Sequence, residues 1–498
     1  PYRKSGEVKT LHFMEGIYIM VVSAKKWRQI MKAKKVLSGA LAAILLTLTP
    51  GVAVCAEEMA GQEQTENTQV LSAQEQENQE KAASYAEKID TNEISNWPQG
   101  PAIYAASGIV MDMNSGAVLY AKKAEEKRYP ASITKVLSVL TALQYAKMSD
   151  TVVFSEDSIS FLQWDDAQIG MKPGEEISME SALYGMLLAS ANEVSYAVAE
   201  NVGKQYLNGG YAEFIEEMNR ISQELGCTSS NWVNANGLHD DNHYTTAHDM
   251  ARIAAAAYQN EEFRRLETPL EYQGPPTNLT AEERILDQNH KMLWPENYYY
   301  YANAKAGKTG YTDQSKTTLV TMAEGNDMQL AAVVLHTYGV DAYTDTRFMY
   351  DYAFTNFERL NLRECETSSD IESFDKEDAY VVVPKGVSFS ELEKEYVPNE
   401  KEGVRQAAVE YFYHGQPVGS AKATLTEEAF SALTGSDKKI KIESVKQEKK
   451  AEKSEQTEQK KLSKLTVVLA LAVILPLGYI ILVVILYKLN MRWRNRKK

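Results

Sequence analysis

The stretch "RYPASITKVLSVLTAL" (Arg128–Leu143) sets a serine and a lysine three residues apart at the mouth of an apolar run. Ile133, Val136, Leu137, Leu140 and Leu143 recur at helical spacing, which predicts a central helix with Pro130 presetting its first turn. Ser132 then lies where free backbone N–H groups and the positive helix end favour a developing oxyanion. Lys135 follows one turn later on the same face, within reach of the serine oxygen. Burial lowers the proton affinity of a lysine in such a place, and a second cation nearby lowers it further. The result is a base able to activate a hydroxyl. Spacing alone does not decide the matter. Ser23/Lys26, Ser373/Lys376 and Ser436/Lys439 repeat the pattern, and serine favours helix starts in any protein.

Two further motifs follow in order. Ser190-Ala191-Asn192 lies inside the apolar text "SMESALYGMLLASANEVSYAVAENVGKQY", read as a buried helix pair. Polar side chains there need partners, which one wall of a cleft would supply. Lys308-Thr309-Gly310 falls on a predicted strand, "KAGKTGYTDQSKTTLVTMAEGNDMQLAAVVLH", whose second half is a hairpin pattern turning at Gly325-Asn326. The glycine lets a ligand approach the strand backbone, and Lys308 and Thr309 offer a cation and a hydroxyl to a carboxylate.

Around these motifs the organisation is an α/β (α+β) domain. Two strands joined at Asn114-Ser115-Gly116 open it, helical text runs to about Asn260, strands return at Lys305, and "YTDTRFMYDYAFTNF" closes it as a helix. One mixed sheet built from both ends of the domain, with helices packed on it, fits this order. The expected segments are a secretory signal at 31–56, a polar spacer at 57–97, the main domain at 98–360 and a small all-β module at 375–443. A charged stalk at 444–464, a transmembrane helix at 465–487 and a basic tail at 488–498 complete the chain.

The signal is read from a basic start at Lys32, Lys34 and Lys35, an apolar run and small residues near Ala56. Residues 1–30 precede Met31, a plausible initiator. The stretch 465–487 carries no charge and reaches roughly 34 Å as a helix, enough to cross a bilayer. The cationic tail beyond it predicts a cytoplasmic end, and so a single-pass membrane protein with its domains on the extracytoplasmic face.

Residues 57–464 hold 38 basic and 66 acidic side chains, which disfavours a nucleic-acid partner. Loss of the signal removes Cys55 and leaves Cys227 and Cys365, too few for a disulfide framework.

The three motifs in this order resemble those of low-molecular-mass penicillin-binding proteins, the serine-type D-alanyl-D-alanine carboxypeptidases (peptidase family S11-like). The resemblance is carried by "GAVLYAKKAEEKRYPASITK", "GMKPGEEISMESALYGMLLASANEVSYAVAE", "NWVNANGLHDDNHYTTAHDMA", "AGKTGYT" and the β-rich tail, and spans about 100 to 443. It implies a β-lactamase/transpeptidase-like fold and removal of the terminal D-alanine from peptidoglycan pentapeptides during cell-wall synthesis and remodelling. It implies β-lactams as covalent inhibitors and no cofactor or metal.

By the same resemblance Ser132 attacks the peptide carbonyl, Lys135 takes its proton, and Ser190 relays a proton to the leaving amine. Asn192 holds Lys135 and the substrate amide, Lys308 and Thr309 fix the terminal carboxylate, and the N–H groups of Ser132 and Tyr311 form an oxyanion hole beside Gly310. Two departures stand out: Gln314-Ser315-Lys316 where the family often has Ala-Gly, and Glu193 where it often has Asp.

Three other readings compete. His239 and His243 share the gap of zinc peptidase helices, but "HDDNH" lacks the Glu after the first His and follows a turn. A serine β-lactamase would share the motifs, yet its Glu-x-x-Leu-Asn setting is absent between Asn192 and Lys308. A non-catalytic wall-binding scaffold would have no need of the full set of side chains.

Overall fold

The computed structural model describes residues 72–399 and 405–434. The expected signal (31–56), stalk, transmembrane segment and basic tail lie outside them. Among the described residues no helix is long and apolar enough to cross a membrane.

The centre is an antiparallel five-stranded sheet. Its strands are β1 (Ser107–Asp112), β2 (Val118–Lys122), β3 (Ala304–Thr312), β4 (Lys316–Gly325) and β5 (Met328–Thr337). They lie in the order β2-β1-β5-β4-β3. The first strands of the domain thus pair with the last, Ser107 opposite Leu335. The β4–β5 hairpin turns on Asn326 and Asp327, both with positive φ, one residue beyond the expected Gly325-Asn326. β1 is buried along its whole length because both faces of the sheet are covered.

One face carries α1 (Lys135–Leu143), α2 (Met179–Leu187), α3 (Asn192–Tyr206), α4 (Ala247–Gln259) and α5 (Glu261–Glu267). Ile109, Met111, Val320, Val333 and Leu335 of the sheet meet Val136, Leu140, Met250 and Ile253 there. α1 is buried from Lys135 to Ala142, so it is covered on every side, with Lys135, Ser138 and Thr141 as its buried polar residues. The other face carries α6 (Asp341–Asn356), with Met349, Tyr350 and Ala353 packed against Val110, Leu330 and Ala332.

Two expectations change. Residues 72–97 of the expected polar spacer are structured: Ala73–Tyr85 is a helix closed by a Ser72/Glu75 capping box, with no residue buried. Its anchors are Trp97, whose Nε1 donates to Leu119 O at 3.1 Å, and Lys122, which is fully buried and donates to Ser84 O at 2.6 Å and Ala105 O at 2.8 Å. A Gln/Glu-rich composition conceals such single-residue anchors. The β text also begins before 375: Phe357–Asn361 leaves α6 directly and pairs with Tyr380–Pro384.

A four-stranded sheet of Ile371–Phe374, Gln416–Leu425, Gln406–Tyr413 and Glu393–Pro398, in that order, completes this region. Both sheets of this region meet the β1–β2 hairpin: Tyr380 OH of the two-stranded pair donates to Asp112 Oδ2 at 3.0 Å, and Ser420 N of the four-stranded sheet donates to Ser115 O at 2.7 Å. Cys227 and Cys365 are both free thiols.

Candidate active site

The chain enters α1 through a strained corner. Pro130 precedes Ala131, which has φ 54°, and residues Ala131–Thr134 make a 3₁₀ turn before the α-helix starts at Lys135. Ser132 therefore sits in this tighter turn, one step ahead of the predicted α-helical position. Four contacts hold the corner. Thr318 Oγ1 donates to Pro130 O at 2.7 Å. Thr134 Oγ1 donates to Ala131 O at 2.8 Å. Glycines approach from two sides: a Cβ on Gly237 (φ +86°) would collide with Ala131 O, and one on Gly310 would lie 2.9 Å from Ser132 N. The glycine of the third motif thus brings β3 against the backbone of the serine.

Lys135 is fully buried, and its Nζ has three acceptors: Ser132 Oγ at 3.0 Å, Asn192 Oδ1 at 2.8 Å and Asn236 O at 2.6 Å. Burial, reinforced by the charge of Lys308, holds its pKa well below that of an ordinary lysine. Motif spacing does not reveal the Asn236 carbonyl. It is delivered by the loop 231–245, where Asn234 Oδ1 accepts from Gly237 N at 2.7 Å and Asn236 Oδ1 from Leu238 N at 3.0 Å.

The histidines of that loop and of the start of α4 point to different places. His243 is buried, and burial drops its pKa to about 3. Its Nδ1 accepts from Val233 N at 3.1 Å, so Nε2 carries the proton and donates to Thr134 Oγ1 at 2.8 Å. His239 packs edge-on against Tyr129, and His248 meets Glu125.

Ser190 does not lie within a helix. It occupies the break between α2 and α3 with φ 62°, and its hydroxyl makes no hydrogen bond among the described residues. Asn192 is the first residue of α3, with its N–H bound to Ala167 O at 2.8 Å. Glu193 is buried beside it; Oε1 accepts from Ile169 N at 2.7 Å, Oε2 has no partner, and burial raises its pKa. The departure to Glu at this position thus ties the 163–171 loop to α3.

On the opposite wall Lys308 is buried, donates to Thr309 O at 2.8 Å, and has its pKa lowered to about 7 by burial against the opposing effect of Glu267. Thr309 is half-buried, and Tyr311 is exposed with its hydroxyl on Asp313. The Gln314-Ser315-Lys316 turn is stitched by Ser315 Oγ, which accepts from Thr312 N at 2.9 Å.

The structure thus brings Ser132, Lys135 and Asn192 into one hydrogen-bonded set, with Gly310 against the serine and Lys308 close enough to act on Lys135. Ser190 makes no direct bond to them. The arrangement supplies a hydroxyl nucleophile, an amine base beside it and a buried cation for an anionic ligand.

The sequence profile of the D-alanyl-D-alanine carboxypeptidase family matches residues 94–339. The D-alanyl-D-alanine carboxypeptidase DacF of Bacillus subtilis is 31% identical over 267 residues, 51% of this chain and 63% of that protein. DacB2 of Mycobacterium tuberculosis, of the same description, is 30% identical over 241 residues, 48% of this chain and 76% of that protein. A crystal structure of a D-alanyl-D-alanine carboxypeptidase from Mycobacterium tuberculosis superposes with a TM-score of 0.46 at 26% identity, over 54% of this chain and 96% of that one. The chain spans 63% and 65% of the lengths of DacF and of DacA from Haemophilus influenzae. With its motifs in the matched region and most of DacB2 covered, this chain belongs to the D-alanyl-D-alanine carboxypeptidase family.

Proposed function

We propose that the protein is a serine-type D-Ala-D-Ala carboxypeptidase acting on peptidoglycan stem peptides. The observation that carries this is the Lys135 Nζ, buried, depleted of proton affinity and 3.0 Å from Ser132 Oγ. A neutral amine there accepts the serine proton as Oγ attacks the carbonyl between the two D-alanines. The carbonyl oxygen becomes an oxyanion facing the N–H of Ser132 and the β3 backbone at Tyr311. Ser190, with its hydroxyl uncommitted, passes the proton to the leaving D-alanine nitrogen. Asn192 fixes Lys135 and accepts the substrate amide. Lys308 and Thr309 hold the terminal carboxylate. Water then attacks the ester at Ser132 with Lys135 again as the nearest base, and the shortened peptide leaves.

The hydropathy of 31–56 and 465–487 supports export and a single membrane anchor, with the site on the extracytoplasmic face. The test is release of free D-alanine from a peptide ending in D-Ala-D-Ala by the purified full chain. A folded Ser132→Ala protein that still releases it at the wild-type rate would refute the reading.

A further inference from the structure

Behind the Lys308 strand lies a carboxylate that no motif marks. Glu267 is the last residue of α5, and it is fully buried. Oε2 accepts from Gly307 N at 3.2 Å and from Gln288 Nε2 at 3.3 Å, while Oε1 has no partner. A carboxylate in this place is costly twice over: it is desolvated, and it sits at the helix end whose exposed carbonyls repel negative charge. Stability alone gives no reason to keep it.

Its surroundings are built to hold the strand. His290 is buried beneath Gly307, where a Cβ would lie 2.6 Å from its ring, and its Nε2 bonds Thr321 Oγ1 at 2.8 Å. Gln288, which binds Glu267, also accepts from His290 N at 3.0 Å. Burial keeps His290 neutral, with a pKa near 3, so it supplies no counter-charge. Lys308 is the cation of the cluster, and its charge in turn disfavours that of Lys135 across the cleft. No direct ion pair joins Glu267 and Lys308; the Gly307 N–H links the carboxylate to the lysine's own strand.

We propose that Glu267 is a positioning residue for the carboxylate-binding lysine: from behind the strand it fixes Gly307 and keeps Lys308 cationic for a substrate with a free C-terminus. The assignment rests on the carboxypeptidase reading above. Glu267, pushed up to about 7 by burial, gains its charge over the same range in which Lys308, near 7, would lose its proton. The carboxylate therefore acts above neutrality and falls silent below it.

The experiment compares wild type, Glu267→Gln and Glu267→Asp as full chains on a D-Ala-D-Ala peptide with a free or an amidated C-terminus, from pH 5.5 to 9.5. The ratio of kcat/KM for acid over amide cancels any limb common to both substrates, Lys135's included. We expect Glu267→Gln to match wild type near pH 6 and to lose about tenfold in that ratio above pH 7.5, one pKa unit being one decade. Glu267→Asp, which keeps the charge, should follow wild type within about twofold. A loss equal at every pH, or equal for acid and amide, would mark Glu267 as structural only and overturn the proposal. If the Gln variant does not fold, the Asp variant decides: an acid-over-amide ratio within about twofold of wild type at every pH supports the proposal, and a larger loss that is equal at every pH or equal for acid and amide overturns it. No D-alanine from wild type on the free acid would instead refute the carboxypeptidase reading.

Discussion

Gly237 and Ala131, far apart in sequence, meet so closely that any side chain on the glycine would strike the alanine carbonyl. Both carry positive φ, 86° and 54°. The corner that presents Ser132 therefore depends on a backbone-on-backbone contact as well as on its two threonine hydrogen bonds.

Gly237→Ala should cost about 3 kcal/mol, combining left-handed strain with a clash against backbone that cannot yield. Gly116, with φ +75° and open space around it, should cost only about 1 kcal/mol when changed to Ala. Thermal melts of the two variants check the contrast, and D-alanine release should survive only in Gly116→Ala. Equal melting shifts would show that the corner tolerates displacement.

Lys135→Met removes the base and leaves Asn192 Oδ1 and Asn236 O without their shared donor. Activity should fall roughly 10³-fold, within the range for a lost general base, and stability by ~1–3 kcal/mol. Ser132→Ala should abolish turnover while leaving the melting temperature close to wild type. Single-turnover acylation rates separate the two; a Lys135→Met protein that acylates normally would remove lysine from the chemistry.

Lys308→Met should stabilise the fold as it disables it. The native pKa of about 7 lies below the ordinary lysine value of 10.5, so the unfolded chain binds the extra proton more tightly. That penalty is fully present below pH 7 and shrinks as pH rises from 7 towards 10.5. The melting temperature of Lys308→Met should thus exceed wild type at pH 6, with the gap narrowing by pH 9. The same variant should lose affinity for free-acid substrates far more than for amides. A gap that widens with pH would contradict the buried-cation account.

Penicillin should acylate Ser132 and depart slowly. Acylation uses groups the cleft holds, whereas no lactamase-type Glu-x-x-Leu-Asn segment lies between Asn192 and Lys308 to place a deacylating water. Each ~1.4 kcal/mol of missing stabilisation slows that step about tenfold. Intact-mass spectrometry should find one persistent adduct on Ser132; rapid release of hydrolysed drug would favour a β-lactamase.

The contact of Lys135 with Ser132 was legible in the sequence because residues three apart at a helix start share a face, whereas that with Asn192 was expected only through the resemblance to the family. The order of strands and helices was legible from periodicity. What stayed hidden acts through the main chain or from buried positions with no pattern. Asn236 contributes a carbonyl, Gly237 and Gly310 contribute the absence of a side chain, and Glu267 is one acid among many in helical text. Ser190 was misplaced because a helix break with positive φ leaves no mark in an apolar run. The ordering of residues 72–97 rests on Trp97 and on Lys122, a lysine that composition would send to the surface.

The pairing of Ser107 with Leu335 has a kinetic consequence. A ribosome or an export channel delivers β1 long before β5, so the sheet's central partnership cannot form until nearly the whole domain has emerged. The entropy of closing so long a loop rises only slowly with length, by about 0.6 kcal/mol per doubling, but folding rates fall steeply as contacts become non-local. Until then the apolar edge of β1 and the largely apolar α1 stand exposed, the condition under which chains aggregate or are cut. A fragment ending before Met328 should therefore be a protease substrate rather than a smaller enzyme.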